Sequence, residues 1–258
     1  MTANAALLSI KDLSIQFGGV KALSNLSCDI RTGEITSIIG PNGAGKTTVF
    51  NLICRLFHPT RGSIAFNGAN LLSFRPHHLA RLGIGRTFQN LALFRHGTVV
   101  DNLLVGLHAH LRSGVLEGAM FVGRTATEEA KAREEVERII EFLEIENIRD
   151  HPISTLSYGL QKRVELGRAM ATRPKLLLLD EMVSGMNQEE TEDIARFVLD
   201  LRDEFEMTVL MIEHQMKVVM DISDTIHVLN FGELIASGPP GDIAKNTMVI
   251  DAYLGVAP

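Results

Sequence analysis

Cysteine is scarce in this chain, occurring only as Cys28 and Cys54. Their spacing supports no metal site, and free thiols in a reducing compartment are the reading that follows. Long apolar runs are missing as well. No stretch of about 18 uncharged apolar residues occurs, so no segment is expected to span a bilayer. Met1 to Ile10 lacks a charged leading region, a long apolar stretch and a cleavage signal, and is not expected to be a signal peptide. There is no excess of basic residues: 25 Lys and Arg stand against 31 Asp and Glu, for a net charge of −6. That balance excludes a broadly basic nucleic-acid binder and leaves a local basic patch open. Neither internal repeats nor a low-complexity linker is evident. The expectation is a cytoplasmic protein that reaches a membrane only through a partner.

What is present is an apolar content of 45% over 258 residues. That is enough for one large α/β domain, or for one domain with a helical insertion. Leu7 to Ile30 alternates apolar and polar residues around Gly18 and Gly19, which predicts short antiparallel strands. Ile35 to Ile39 reads as a buried strand, Lys46 to Leu56 as a helix, and Gly62 to Gly68 as another short strand with turns. From about Pro76 to Thr155 the pattern changes. Ala132, Val136, Ile139, Ile140 and Leu143 recur at helical spacing within Glu128 to Leu143, which predicts an amphipathic helix in a mostly helical subdomain. Ser113 to Gly123 reads as a loop. After Pro174 two continuous apolar runs appear, Leu176 to Leu179 and Thr208 to Ile212, suited to central strands covered on both faces. Thr225 to Leu229 and Glu233 to Ala236 read as a closing strand and hairpin.

The strongest motif is Gly40-Pro41-Asn42-Gly43-Ala44-Gly45-Lys46-Thr47, which matches G-x-x-x-x-G-K-[ST] with a strand before it and a helix after it. Glycines let the backbone wrap a polyphosphate with N–H groups pointing inward. The helix N-terminus adds partial positive charge. Lys46 would bridge the β and γ oxygens, the Thr47 hydroxyl would ligate Mg²⁺, and Thr48 would donate to the α-phosphate. Taken alone, the motif says nucleotide phosphate and does not separate a kinase, a GTPase or a transport ATPase.

The second apolar run delivers Asp180 and Glu181 at a strand end, where ligands of open α/β sheets sit. Asp180 would hold Mg²⁺ through water and Glu181 would polarise the attacking water as general base. Read alone, the pair could equally be two solvated acids at a strand end. His214 follows another apolar strand end. A lone histidine is more often structural, but from a neighbouring strand it could reach the γ-phosphate and orient Glu181. Gln89, in Arg86-Thr87-Phe88-Gln89-Asn90, is weak evidence by itself.

At Leu156-Ser157-Tyr158-Gly159-Leu160-Gln161, upstream of the acidic pair, the chain resembles the nucleotide-binding subunits of ABC transporters, whose signature is usually LSGGQ. The resemblance covers essentially the whole chain. It implies an α/β P-loop NTPase fold with a RecA-like core of mostly parallel sheet and an N-terminal antiparallel β subdomain. An inserted α-helical subdomain would occupy about residues 90–170 of a domain spanning 7–255. It further implies ATP and Mg²⁺ as ligands and a head-to-tail pair of subunits, homodimeric or heterodimeric. Ser157 and Gly159 of one subunit would contact the γ-phosphate held by the other. Gln89 would sense Mg²⁺ and γ-phosphate, Phe17 would stack on adenine, His214 would be the switch histidine, and Ser184 to Asn187 would cross to the other subunit. Read from the residues alone, Phe17 could as well be a core phenylalanine.

Within the family, Tyr158, Gly185-Met186-Asn187, Ile212 to Lys217, the ending Ala252-Tyr253-Leu254-Gly255 and the insertion around His108 to Glu128 are similar to the branched-chain amino acid importers. Urea importers and lipopolysaccharide exporters carry similar ATPases. The resemblance implies integral-membrane permease subunits as partners, a periplasmic binding protein as an indirect one, no nucleic acid, and a place on the cytoplasmic face of the membrane. Leu160, Met182 and Asn187 depart from the family's glutamine, proline and aspartate. A soluble ABC-type ATPase acting on nucleic acid or ribosomes would carry two cassettes or a coiled-coil insertion, and this chain has neither. A small-molecule kinase would leave Ser157 to Gln161 unexplained.

Overall fold

The computed structural model describes residues 6–87, 91–107 and 124–254. In chain order the strands are β1 (Ala6–Phe17), β2 (Val20–Arg31), β3 (Ile35–Ile39), β4 (Arg61–Phe66), β5 (Ala69–Asn70), β6 (Ile84–Arg86), β7 (Leu176–Asp180), β8 (Thr208–Ile212), β9 (Thr225–Asn230) and β10 (Glu233–Gly238). The chain divides into two compact units, one of Met1–Leu79 with Leu178–Pro258 and one of Ala80–Leu177.

The first unit contains two sheets. One is antiparallel, in the order β2-β1-β4-β5. Its sequence puts Leu8, Ile10, Leu13 and Ile15 of β1 into the core while Lys11, Asp12 and Gln16 stay exposed. The other sheet runs β10-β9-β3-β8-β7. Here β3 lies parallel to β8 on one side, with Ile35 opposite Val209, and parallel to β9 on the other, with Thr36 opposite Thr225. Every residue of β3, β7 and β8 is buried. This burial on both faces explains why these strands read as unbroken apolar runs and not as an alternation. The chain leaves β3 at Gly40, β7 at Glu181 and β8 at Glu213, so three strand ends lead straight into the residues with chemistry.

The helix after β3 spans Lys46–Ile53, three residues shorter than its sequence pattern extends. It stops because Arg55 takes a left-handed φ of 60° and the Leu56 N–H turns back to the Asn51 carbonyl at 2.9 Å. The helix Gln188–Asp203 starts with a reciprocal cap. Asn187 Oδ1 accepts from the Glu190 N–H at 2.9 Å, and Glu190 Oε2 accepts from the Asn187 N–H at 3.1 Å. Asn187 at this position therefore has a structural use of its own.

In the second unit the helices Val99–Leu107, Arg124–Phe142 and Tyr158–Ala171 pack on one another in all three pairings. Leu103, Val136, Ile140 and Val164 are among the residues they bury. The middle helix begins four residues before its sequence signal, because Arg124 to Thr127 carry no apolar periodicity. This unit also holds the short β6. The expected loop Ser113 to Gly123 lies outside the described residues. Among the described residues no helix is long and apolar enough to cross a membrane.

Candidate functional site

The turn from β3 into the helix Lys46–Ile53 forms a cradle whose shape depends on glycine. Gly40, Gly43 and Gly45 have φ values of 150°, 81° and 102°. A Cβ on Gly40 would lie 2.0 Å from the Leu229 carbonyl oxygen of β9, so nothing larger than hydrogen fits. The loop is closed by the Ala44 N–H donating to the Pro41 carbonyl at 3.1 Å and anchored by the Gly232 N–H donating to the Ala44 carbonyl at 3.1 Å. No side chain caps the N-terminus of the helix that follows, and its first turn carries no acid. Its first N–H groups are therefore orphan donors with partial positive charge.

Lys46 is only 7% exposed. Its Nζ donates to the carbonyls of Gly40 at 2.7 Å and Pro41 at 3.0 Å. Burial pushes the ammonium pKa below its ordinary value, while the negative charge of Glu181 pulls it back up. These two carbonyls hold the ammonium over its own loop.

Asp180 ends β7 at 1% exposure. The next residue, Glu181, leaves the strand with a left-handed φ of 51°, and its N–H donates to the Ile212 carbonyl of β8 at 2.9 Å. For a residue other than glycine this conformation costs about 1–3 kcal/mol. His214 follows β8, and its Nε2 lies 2.8 Å from Glu181 Oε1. With a carboxylate as acceptor, that contact places the imidazole proton on Nε2. The chain thus brings Lys46, Glu181 and His214 into one electrostatic neighbourhood in the first unit.

Phe17 ends β1 opposite Val20 and is 43% exposed. Its ring meets Phe57 edge-on at 5.0 Å between centroids. With this exposure Phe17 is not a core phenylalanine. Ser157 and Gly159 belong to the second unit. Ser157 is the N-cap of Tyr158–Ala171, its Oγ accepting from the Leu160 N–H at 3.3 Å, and Gly159 is buried in the first turn. Gln161 turns inward, its Nε2 donating to the Leu156 carbonyl at 2.9 Å. Gln89 lies outside the described residues.

The oxygens of Thr47 and Asp180 are the hard donors that Mg²⁺ takes, together with phosphate oxygens and water. Among the described residues there is no cluster of three His, Cys, Asp or Glu able to hold a metal alone. The donor set therefore fits an ion that arrives with a phosphate ligand.

Sequence reasoning did not single out Glu213. This residue is 4% exposed. Its Oε1 accepts from the Val183 N–H at 3.1 Å and its Oε2 from the His214 N–H at 3.3 Å. Burial raises its pKa to about 7, against the opposing pull of these backbone donors. An acid between an apolar strand and a histidine was the available signal, but its partner lies 30 residues away.

The ABC transporter family profile matches residues 23–184. The chain is 41% identical over 251 residues to the high-affinity branched-chain amino acid transport ATP-binding protein BraF of Pseudomonas aeruginosa, covering 97% of this chain and 98% of that protein. Among solved structures, the ADP conformation of an ATP-binding cassette of an ABC transporter, MJ1267, superposes with a TM-score of 0.84 at 31% identity over 97% of this chain and 99% of that one. A dimeric post-hydrolysis cassette bound to ADP and phosphate, MJ0796, superposes with a TM-score of 0.76 at 25% identity over 90% and 98%. The glycine cradle, the acidic strand end and these likenesses agree, and the chain belongs to the ABC transporter family, as one of its ATP-hydrolysing cassettes.

Proposed function

We propose that this chain drives the import of branched-chain amino acids as the ATPase of a membrane complex. The observation that carries the reading is the Glu181–His214 contact beside the buried Lys46 loop. In this reading, ATP docks with its adenine on Phe17 and its phosphates in the Gly40–Thr48 cradle, where Lys46 exchanges its loop carbonyls for phosphate oxygens. Thr47, Asp180 and Gln89 would hold Mg²⁺, Asp180 through water, and the ion would supply charge neutralisation of the polyphosphate. Glu181 accepts a proton from the attacking water, and His214 orients Glu181 and reaches the γ-phosphate. Ser157 and Gly159 at the helix N-terminus of a second cassette complete the site, so ATP bridges two subunits and closes the pair. Loss of the γ-phosphate removes that bridge, and the pair opens. The helical region beginning after Gln89 passes this motion to permease subunits from the cytoplasmic face, with a periplasmic binding protein delivering the solute.

The dimeric cassette structure and the names of the relatives support this reading. The test is expression of the tagged chain in its native host, followed by purification from detergent-solubilised membranes and by leucine uptake in a deletion strain. A multispanning membrane protein should co-purify, and uptake of leucine, isoleucine and valine should fall. Unchanged uptake of these three with loss of urea import or lipopolysaccharide export would replace the cargo. Recovery of ribosomes or nucleic acid in place of a permease would overturn the transport assignment.

A further inference from the structure

The loop that carries Glu181 is anchored to the end of β8. Several of its contacts reach β8 or the residues directly after it. The Glu181 N–H donates to the Ile212 carbonyl at 2.9 Å. The Val183 N–H donates to Glu213 Oε1 at 3.1 Å. The Gln215 side-chain amide donates to the Val183 carbonyl at 3.2 Å. Glu213 does more than pin this loop, because its second oxygen accepts from the His214 N–H at 3.3 Å. One buried carboxylate therefore joins the backbone behind Glu181 to the backbone of His214, while the two side chains meet in front at 2.8 Å.

The arrangement closes a ring from Glu181 to Val183, Glu213, His214 and back to Glu181. The left-handed φ of 51° at Glu181 carries a backbone cost that these contacts help to offset. We propose that Glu213 is a positioning residue for ATP hydrolysis: it sets the separation and orientation of Glu181 and His214 without touching nucleotide. The inference rests on the reading of Glu181 as the general base. The stability argument points the same way. Burial makes the ionised acid unfavourable at this position, and the three backbone N–H groups of Val183, His214 and Met182 that face it offset only part of that penalty. A glutamine of the same size would avoid the charge but could accept through one oxygen only, leaving an NH₂ against one of the two backbone donors. A misplacement near 1 Å in a reacting constellation can lower rates by about 10²-fold.

The test uses the full chain and four proteins: wild type, Glu213→Gln, Glu181→Gln and the double variant. ATP turnover and ATP affinity are measured for each, with single-turnover rates for the slow ones. Positioning predicts that Glu213→Gln lowers kcat tenfold or more while KM and Kd for ATP stay within twofold, since the phosphate cradle is untouched. It also predicts that adding Glu213→Gln to Glu181→Gln lowers the residual rate less than twofold, because the group being positioned is already gone. A kcat loss smaller than tenfold, a change in KM or Kd above twofold, or losses that multiply in the double variant would overturn it. Should Glu213→Gln fail to fold, Glu213→Asp, too short to bridge both N–H groups, is read by the same criteria. Failure of both to fold would assign Glu213 to stability alone. Wild-type turnover in Glu181→Gln would instead remove the base assignment itself, whatever Glu213 does.

Discussion

Replacing Gly40 by alanine should damage this protein before any nucleotide is added. The new Cβ would stand 2.0 Å from the Leu229 carbonyl oxygen and 3.0 Å from its carbon. A close carbon–oxygen contact is about 3.3 Å, so the loop or β9 must move by more than about 1 Å. Overpacking of this kind costs about 1–3 kcal/mol, and a backbone region reserved for glycine adds about 1–3 kcal/mol. Gly43 supplies the internal control. Its φ of 81° also favours glycine, yet a Cβ there meets nothing within 4 Å. Gly43→Ala should then cost only the backbone penalty of about 1–2 kcal/mol. For a chain of this size each kcal/mol moves Tm by about 2–4 °C. Thermal unfolding of the nucleotide-free proteins should show Gly40→Ala losing at least twice the Tm that Gly43→Ala loses. Equal losses, or a larger loss at Gly43, would refute the claim that contact with β9 is what demands glycine at Gly40.

Lys46→Ala should lower ATP affinity at least tenfold in equilibrium binding, because the buried ammonium that would meet the phosphate oxygens is lost. His227 is buried between Ser237 Oγ at 2.9 Å and the Asp29 carbonyl at 3.3 Å, and burial holds its pKa below the ordinary value. The unfolded chain therefore takes up the proton first, so the stability tied to neutral His227 is present above about pH 6.5 and is lost as pH falls below it. Denaturant titrations of His227→Gln should show a shallower decline between pH 7 and 5. Glu213 has the opposite sign: with its pKa raised to about 7, the fold binds a proton that the unfolded chain has already lost, so stability falls as pH rises from about 4.5 to 7. The stability of Glu213→Gln relative to wild type should improve across that window.

The sequence made legible whatever is decided within a few neighbouring residues. The cradle could be read because each part, from Gly40 to Thr47, acts through spacing along the chain. Asp180 and Glu181 could be read because four leucines in a row need cover on both faces, and that fixes where the strand ends. The helix Val99–Leu107, the short β6 and the final helix Thr247–Leu254 escaped notice, since each is brief. Phe17 could not be assigned from its neighbours because its exposure depends on where β2 turns beside it. Glu213 was illegible for the same reason in sharper form: an acid after an apolar strand reads as solvated until Val183 is seen to face it. Asn187 looked like a departure and turned out to be a helix cap, a role any short polar side chain with a free oxygen can fill.

The central claim is that ATP is held between two cassettes, and sedimentation of the Glu181→Gln protein tests it most directly. With ATP and Mg²⁺ the protein, alone or mixed with a sister ATP-binding subunit, should sediment as a dimer, and with ADP as a monomer. Adding Ser157→Arg, which fills the helix N-terminus with bulk and like charge, should return the ATP form to monomer without loss of ATP binding. A Glu181→Gln protein that binds ATP yet stays monomeric under both conditions would contradict the account.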